Sequence, residues 1–435
     1  MLLKNKVHQY YWWIALLTIV LRVIWAIAVP VIPMSDSAAY DTLARNLATC
    51  NNYGWDCTTP TAYWPVGPSF IYSLLYRVFG YSYFPIVVLH VVLAVLTVIL
   101  TMYLAQQWFG RRVSALTGIL LALWPSQIQF TTVLASELMF TALIIIGLVI
   151  WEHESLNLWL RACLVGTGLA AACYVRPTAM LFPVLLIFMR YVSTRRVVEN
   201  LKAALVMFLV IAMLIAPWSF RNTQTFGQFV TISTNGGANL WMGNNPASTG
   251  EYMKLPPETR TMNEAERDQY LKSLATAHIK ENPLLFVQRS IGRVITTHSR
   301  ESISVAWNEE GLKQRYGQRI ITPLKILNQF YWMTVLGLGV VGIGLLGIRE
   351  GWGVVVTHPT VLIWGYFTVV HALIVAQDRY HFPSIPFIAV LAAYSLVYFI
   401  DWKYKKPKTD VTKSDSESLS MPAHRFVQNY RSSLM

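Results

Sequence analysis

Residues 84–104 read FPIVVLHVVLAVLTVILTMYL, which is 21 residues without an aspartate, glutamate, lysine or arginine. An α-helix rises about 1.5 Å per residue, so a stretch of this length crosses the roughly 30 Å hydrocarbon core of a bilayer. The whole chain shares this character, because 54% of its 435 residues are hydrophobic and only 13% are charged. Soluble domains carry about 25% charged residues. The sequence therefore predicts an integral membrane protein.

Further apolar stretches of similar length lie on both sides of residues 84–104. They predict an all-α polytopic fold with about ten transmembrane helices in a single domain over residues 1–400. Residues 401–435 are polar and rich in serine and lysine, so we expect a disordered cytosolic tail there. The ten stretches are Tyr11–Val29, Phe84–Leu104, Val113–Phe130, Val133–Trp151, Trp159–Tyr174, Pro177–Val192, Leu201–Trp218, Phe330–Ile348, Pro359–Ala376 and Phe382–Ile400.

Basic residues in the short connections predict the orientation. With the amino terminus in the cytosol, Arg111, Arg195 and the lysines of 403–408 all fall on the cytosolic side, as the positive-inside rule requires. The formal charge of +13 is then explained by topology, and no nucleic-acid partner is expected. The opposite face receives a first outer loop, 33–83, and a long outer loop, 219–329. Both termini are predicted to be cytosolic.

The four cysteines and the scattered histidines give little support for a metal centre. Cys50 and Cys57 flank a polar turn on the outer face, where a disulfide persists, so a local bridge is favoured over a metal site. The outer histidines, His298, His371 and His381, do not stand at metal-ligand spacing. No cofactor is predicted, and a divalent cation is left open.

Two acidic residues lie at outer helix ends, and one arginine lies inside a predicted helix. Asp36 follows the first predicted helix, where it can act as a base at the membrane surface or cap the next helix. Glu137 begins the fourth span, where it can pair with a cation, coordinate one, or cap its helix. Arg22 lies mid-span and either pairs inside the bundle, for example with Glu137, or extends to the membrane surface.

Three arginines stand at the outer ends of other spans: Arg176, Arg221 and Arg379. A guanidinium holds a phosphate through a fixed fork of donors, so converging arginines form an anion site. A single arginine at this depth is more often a lipid headgroup anchor. Aromatic residues of the outer segments suit either an interfacial belt or the lining of a sugar or lipid groove, namely Tyr63, Trp64, Trp218, Trp241 and Trp307.

The order of these motifs resembles glycosyltransferase family 39 of the GT-C superfamily, which contains protein mannosyltransferases and the transferases that add aminoarabinose to lipid A. The matching pieces run through nearly the whole chain. They are Asp36-Ser37 to Tyr40, Pro60 to Gly67 with Tyr63 and Trp64, Ser136-Glu137, Arg176-Pro177, Ala216-Pro217-Trp218 with Arg221-Asn222, Asn235-Gly236-Gly237, Gly243-Asn244-Asn245-Pro246, and Arg379-Tyr380.

The resemblance implies an inverting glycosyltransferase that moves a sugar from a polyprenyl (undecaprenyl) phosphate donor to a hydroxyl group of a glycan, lipid or protein acceptor. It places the reaction on the extra-cytosolic face of the membrane. The outer loops contain no Asn-x-Ser/Thr sequon, which favours a bacterial inner membrane. Asp36 would be the general base, and Arg176, Arg221 and Arg379 would neutralise the departing lipid phosphate. The further site candidates are Tyr40, Tyr63, Glu137, Asn222, Asn244 and Tyr380.

Two alternatives remain at this point. A lipid-linked glycan ligase or polymerase would use the same arginines on a lipid diphosphate donor. A lipid or glycan flippase would not be an enzyme, and it needs polar residues through the depth of the membrane. Apart from Arg22, the predicted spans carry few such residues.

Overall fold

The computed structural model describes residues 9–404, and these form helices, turns and irregular segments. The only β-type pairing in this part of the chain is an isolated antiparallel bridge between Gly54 and Pro60. The helices are α1 Gln9–Ala28, α2 Asp36–Cys50, α3 Gly67–Phe79, α4 Phe84–Phe109, α5 Arg111–Leu123, α6 Pro125–Gln129, α7 Glu137–Glu152, α8 Leu158–Val175, α9 Phe182–Thr194, α10 Val197–Phe226, α11 Gly236–Gly243, α12 Glu264–Glu281, α13 Pro283–Ser299, α14 Ile303–Ala306, α15 Glu309–Tyr316, α16 Ile321–Glu350, α17 Trp352–Val355, α18 Pro359–Leu373 and α19 Ile385–Tyr404.

Five short 3-10 helices connect these elements: Phe130–Thr132, Pro177–Leu181, Pro257–Thr261, Gln318–Ile320 and Asp378–Ser384. Three of them continue directly into a longer helix, so that Pro177–Thr194, Gln318–Glu350 and Asp378–Lys403 each form one apolar unit. Proline favours the start at Pro177, because its fixed φ suits the first helical turn, where its missing N–H is not needed.

Each of the ten predicted apolar stretches contains a helix, and the chain is a multi-pass, all-α membrane protein. Seven helical units within residues 9–404 are long and apolar enough to cross a bilayer, or eight if α5 and α6, bent by 53°, form one broken span. The remaining stretches correspond to α7 and α18, which have 16 and 15 residues. The count of about ten spans therefore stays a prediction.

The helices next to the predicted long outer loop, 219–329, extend into it. Helix α10 continues through Phe226, and α16 already begins at Ile321, so the segment between them is 227–320. Hydrophobicity marks where a helix leaves lipid, whereas backbone hydrogen bonding decides where the helix ends. Polar residues beyond the membrane stay helical because the following chain packs on them: Ser219 and Asn222 donate to the carbonyls of Val230 and Ile232.

Helix α19 lies at the centre of the bundle, and 78% of its most apolar window is buried inside the protein. It packs against α5, α16 and α18. Gly342 of α16 allows this approach, since a Cβ there would lie 2.3 Å from the carbonyl oxygen of Leu391. The 3-10 helix Asp378–Ser384 is thereby fixed at the outer end of the most enclosed helix.

One local prediction for the outer face is confirmed. Cys50 and Cys57 form a disulfide at the end of α2. Asn263 caps α12 in a capping box with Glu266, and Pro283 occupies the first turn of α13. The predicted tail lies outside the described residues from 405 onward.

Candidate active site

Four chain segments place charged side chains at the same point. Asp36 and Glu137 are the first residues of α2 and α7, where free backbone N–H groups favour a carboxylate. Arg176 stands between α8 and Pro177 in an extended conformation, which is the conformation that a following proline imposes. Arg379 lies in the 3-10 helix Asp378–Ser384. Segments far apart in sequence thus bring two acids and two arginines together.

The contact between Asp36 and Arg379 is the centre of this arrangement. Arg379 Nη2 lies 2.6 Å from Asp36 Oδ2, and the two side chains are only 10% and 14% exposed. The buried Oδ2 atom nevertheless receives no aligned hydrogen bond from the described residues. Ser35, immediately before Asp36, has a φ of 52°, a conformation that costs a non-glycine residue about 1–3 kcal/mol and is typical of functional sites.

Glu137 connects the two arginines. Its side chain is fully buried, and Oε1 forms an ion pair with Arg176 and lies 3.6 Å from Arg379 Nη1. Arg176 also donates from Nε to Ser136 Oγ at 2.8 Å. The four groups alternate in sign as Asp36, Arg379, Glu137 and Arg176. Their formal charges cancel, which is how charges in a weakly hydrated site are tolerated.

Three of these groups, Asp36, Arg176 and Arg379, line a cleft of about 750 Å³. Aromatic rings form part of its walls: the Arg379 guanidinium lies 4.6 Å from the ring centre of Trp307, and Tyr380 stacks on His371 with ring centres 4.1 Å apart. Burial raises the pKa of Tyr63 to about 12. Burial also raises the pKa of Tyr40, and the charge of Asp36 adds to that shift. Both phenols therefore stay neutral and are able to donate hydrogen bonds.

The segment that carries Arg379 is held from behind by the end of α13. Asp378 accepts hydrogen bonds from the backbone N–H and the hydroxyl of Ser302, at 3.0 and 2.8 Å. His381 contacts the Thr297 carbonyl at 2.7 Å and Glu301 at 2.6 Å. Arg379 and Tyr380, which lie between these anchors, consequently face the cleft with little freedom.

The structure brings together most of the residues predicted from the sequence. Asp36, Tyr40, Tyr63, Arg176, Arg379 and Tyr380 line the cleft, and Glu137 lies directly behind its two arginines. Of the five aromatic groove candidates, Tyr63, Trp64 and Trp307 are cleft residues, whereas Trp218 and Trp241 are not.

Arg221, Asn222 and Asn244 lie outside the cleft lining. Arg221 donates to the backbone carbonyls of Thr61 and Tyr53, at 2.9 and 3.3 Å. The amide of Asn222 donates to the carbonyl of Ile232. Asn244 likewise donates to the carbonyls of Leu373 and Ile374. All three side chains therefore connect outer segments to helix ends.

We expect Arg221→Gln to loosen the first outer loop without weakening the donor site. Two carbonyls that receive a charged hydrogen bond would lose it, which costs about 1–3 kcal/mol. The measurement is thermal unfolding of the purified protein together with the KM for the lipid donor. A rise in donor KM at unchanged thermal stability would instead indicate that Arg221 binds the donor phosphate.

Arg22 pairs with backbone rather than with Glu137. Its side chain is fully buried, and Nη1 lies 3.3 Å from the Thr18 carbonyl and 3.4 Å from the Ala122 carbonyl. Ala122 stands at the carboxyl end of α5, where free carbonyls attract a cation. Arg22 therefore stabilises the break between α5 and α6.

Some cleft residues were not predicted from the sequence. They are Tyr252 and Arg300, together with Asn239 and Ser302. Arg300 forms an ion pair with Glu251 at the rim. Arg300 and Ser302 cap α13 and α14, but no sequence signal related them to the other candidates, and only the folded chain brings them to the cleft. Among residues 9–404, no group of three His, Cys, Asp or Glu residues is placed to hold a metal ion.

Comparison with known proteins found one family match and several solved structures of similar fold. Residues 64–220 match the family described as dolichyl-phosphate-mannose-protein mannosyltransferase. A search of curated proteins found no match. The solved oligosaccharyltransferase of Archaeoglobus fulgidus, tethered to an acceptor peptide, shares 14% identity at a TM-score of 0.55 and covers 92% of this chain. ArnT from Cupriavidus metallidurans, bound to undecaprenyl phosphate, shares 14% identity at a TM-score of 0.54 and covers 88%.

A second Archaeoglobus fulgidus structure, AglB in complex with an inhibitory peptide and a dolichol-phosphate, covers 95% of this chain at 11% identity and a TM-score of 0.53. The present chain spans 51% to 60% of the length of these three neighbours. At such identities the likeness concerns the fold. The shared fold and the match over residues 64–220 agree with the resemblance to the GT-C superfamily that the motifs carry.

Proposed function

We propose that this protein is an inverting glycosyltransferase that moves a sugar from a polyprenyl phosphate donor to a hydroxyl acceptor. The observation that carries the proposal is the buried ion pair of Asp36 with Arg379, 2.6 Å apart, beside a second arginine held by Glu137. A carboxylate and two guanidinium groups in one cleft match the two charges that the reaction must handle: a proton leaving the acceptor and a phosphate leaving the sugar.

Asp36 is suited to be the base. Its Oδ2 atom is buried at the cleft and lacks an aligned hydrogen bond. An acceptor hydroxyl supplies the missing donor, and this places the acceptor oxygen where a base must hold it. Asp36 takes the hydroxyl proton as that oxygen forms its bond to the anomeric carbon. The bond from the anomeric carbon to the phosphate oxygen breaks, and its electron pair leaves with the lipid phosphate.

Arg176 and Arg379 stabilise the departing phosphate. Preorganised cations act most strongly where charge develops in the transition state, and the two arginine side chains are only 11% and 10% exposed, which strengthens their interaction with that charge. The lipid phosphates in the solved neighbours, undecaprenyl phosphate with ArnT and dolichol-phosphate with AglB, support a polyprenyl phosphate donor here. The acceptor is a hydroxyl of a glycan, a lipid or a protein.

The proposed reaction takes place on the extra-cytosolic face of a bacterial inner membrane. All four charged site groups lie at helix ends that the positive-inside rule assigns to that face. Arg111 begins α5 and Arg195 precedes α10, both at the end of the bundle opposite to the site. Their predicted cytosolic position supports this orientation.

The test supplies the purified protein in lipid nanodiscs with polyprenyl phosphate sugars and follows donor cleavage by mass spectrometry. We expect cleavage to polyprenyl phosphate, stimulated by a hydroxyl acceptor. Parallel reactions contain a lipid diphosphate oligosaccharide, which a ligase or polymerase would consume. Transport of intact lipid-linked sugar across proteoliposomes without cleavage would identify a flippase and contradict the proposal.

A further inference from the structure

The candidate base, Asp36, and one of the candidate phosphate ligands, Arg379, contact each other in the present structure. Arg379 Nη2 is at ion-pair distance from Asp36 Oδ2, so this guanidinium nitrogen faces the carboxylate. The carboxylate and the guanidinium nitrogen therefore each fill the position that an acceptor hydroxyl or a donor phosphate would need.

A donor phosphate changes the charge balance of the cleft. The four groups at its centre sum to zero, and a phosphodiester adds one negative charge. The arginines that line the cleft are Arg176, Arg300 and Arg379. Arg300 is paired with Glu251 at the exposed rim, and Arg176 is bound to both Ser136 and the fully buried Glu137.

Arg379 is the cleft arginine whose partner is the candidate base. Asp36 remains 14% exposed and its Oδ2 receives no aligned hydrogen bond, whereas Glu137 is fully enclosed. The second nitrogen of Arg379 faces Glu137 at 3.6 Å, its Nε donates to Gln377 Oε1 at 2.7 Å, and its plane lies over Trp307. These three contacts would keep the guanidinium at the cleft when Nη2 exchanges Asp36 for a phosphate.

We infer that Asp36 and the donor phosphate compete for Arg379, so that binding of the lipid phosphate releases the base. This inference rests on the proposed function and deepens it, because it makes acceptor deprotonation depend on a bound donor. It also predicts an order, in which the lipid phosphate binds productively before the acceptor. Glu137 is a positioning residue, which contacts Arg379 both when Arg379 pairs with Asp36 and when it binds the phosphate.

The test is a binding cycle with undecaprenyl phosphate on the full-length protein in nanodiscs. We expect Asp36→Asn, which frees Arg379, to bind undecaprenyl phosphate about tenfold more tightly than the wild type, since a carboxylate no longer competes for the guanidinium. In an Arg379→Gln background the same Asp36 substitution should leave affinity unchanged. Arg379→Met, which also lacks the positive charge, serves as a second background in case the glutamine variant is unstable.

The double variant separates competition from simple charge removal. If Asp36→Asn tightened binding equally with and without Arg379, the effect would be general electrostatics and the inference would be overturned. Unchanged affinity of the single variant would overturn it as well. Inorganic phosphate, tested alongside, should show the same pattern at lower affinity, and polyprenol should show none. Failure of the wild type to prefer undecaprenyl phosphate over polyprenol would contradict the proposed function instead.

Discussion

Replacing Asp36 with asparagine is expected to lower kcat for sugar transfer by about 10²–10⁴-fold, the range contributed by a positioned general base. Asparagine keeps the size and the helix position of Asp36 but cannot take a proton. Donor binding should persist, because the phosphate ligands Arg176 and Arg379 remain. The measurement is steady-state turnover with saturating polyprenyl phosphate sugar, accompanied by thermal unfolding to show that the variant is folded.

Asp56→Asn is the matched control. Asp56 lies in the same outer loop, where it accepts hydrogen bonds from Thr58 and Thr59 and does not line the cleft. Those bonds lower the pKa of Asp56 to about 2, so the control removes a charge at neutral pH as Asp36→Asn does. Full turnover by Asp36→Asn would exclude this residue as the base.

Replacing Arg379 with glutamine is expected to reduce kcat by about 10²–10³-fold, as the loss of one preorganised donor to a developing anion does in other enzymes. Two effects combine in this variant. The leaving phosphate loses a cation, and Asp36 and Glu137 lose a shared counterion. The loss should appear in kcat as well as in KM, because phosphate charge grows as the bond to the sugar breaks. Single-turnover donor cleavage measures it directly.

Arg112→Gln provides the comparison for a lost arginine–carboxylate pair. Arg112 contacts Asp401 at 2.6 Å at the far end of α19, and it is 75% exposed. Exposed pairs contribute only about 0–1 kcal/mol, so turnover by this variant should match the wild type. An Arg379→Gln enzyme that kept normal kcat would place the phosphate elsewhere in the cleft.

Local signals in the sequence were sufficient for the elements and for most of the charged site. Apolar length identified the helices of the bundle, and the polar turn between Cys50 and Cys57 identified their disulfide. Acids and arginines at outer helix ends identified Asp36, Glu137, Arg176 and Arg379 as candidates. These signals are readable because burial, capping and charge placement depend on neighbours within a few turns of the chain.

The sequence by itself therefore determined the membrane class, the approximate helices and the types of residue at the site. Only the tertiary structure decided which candidates meet. Arg221, like Arg379, stands at the outer end of a predicted span, yet its guanidinium binds the backbone carbonyls of the first outer loop. Arg379 reaches Asp36, more than 300 residues away in the chain, because the enclosed α19 and the end of α13 hold its segment at the cleft. Long-range packing fixes such distances, and no local pattern encodes them.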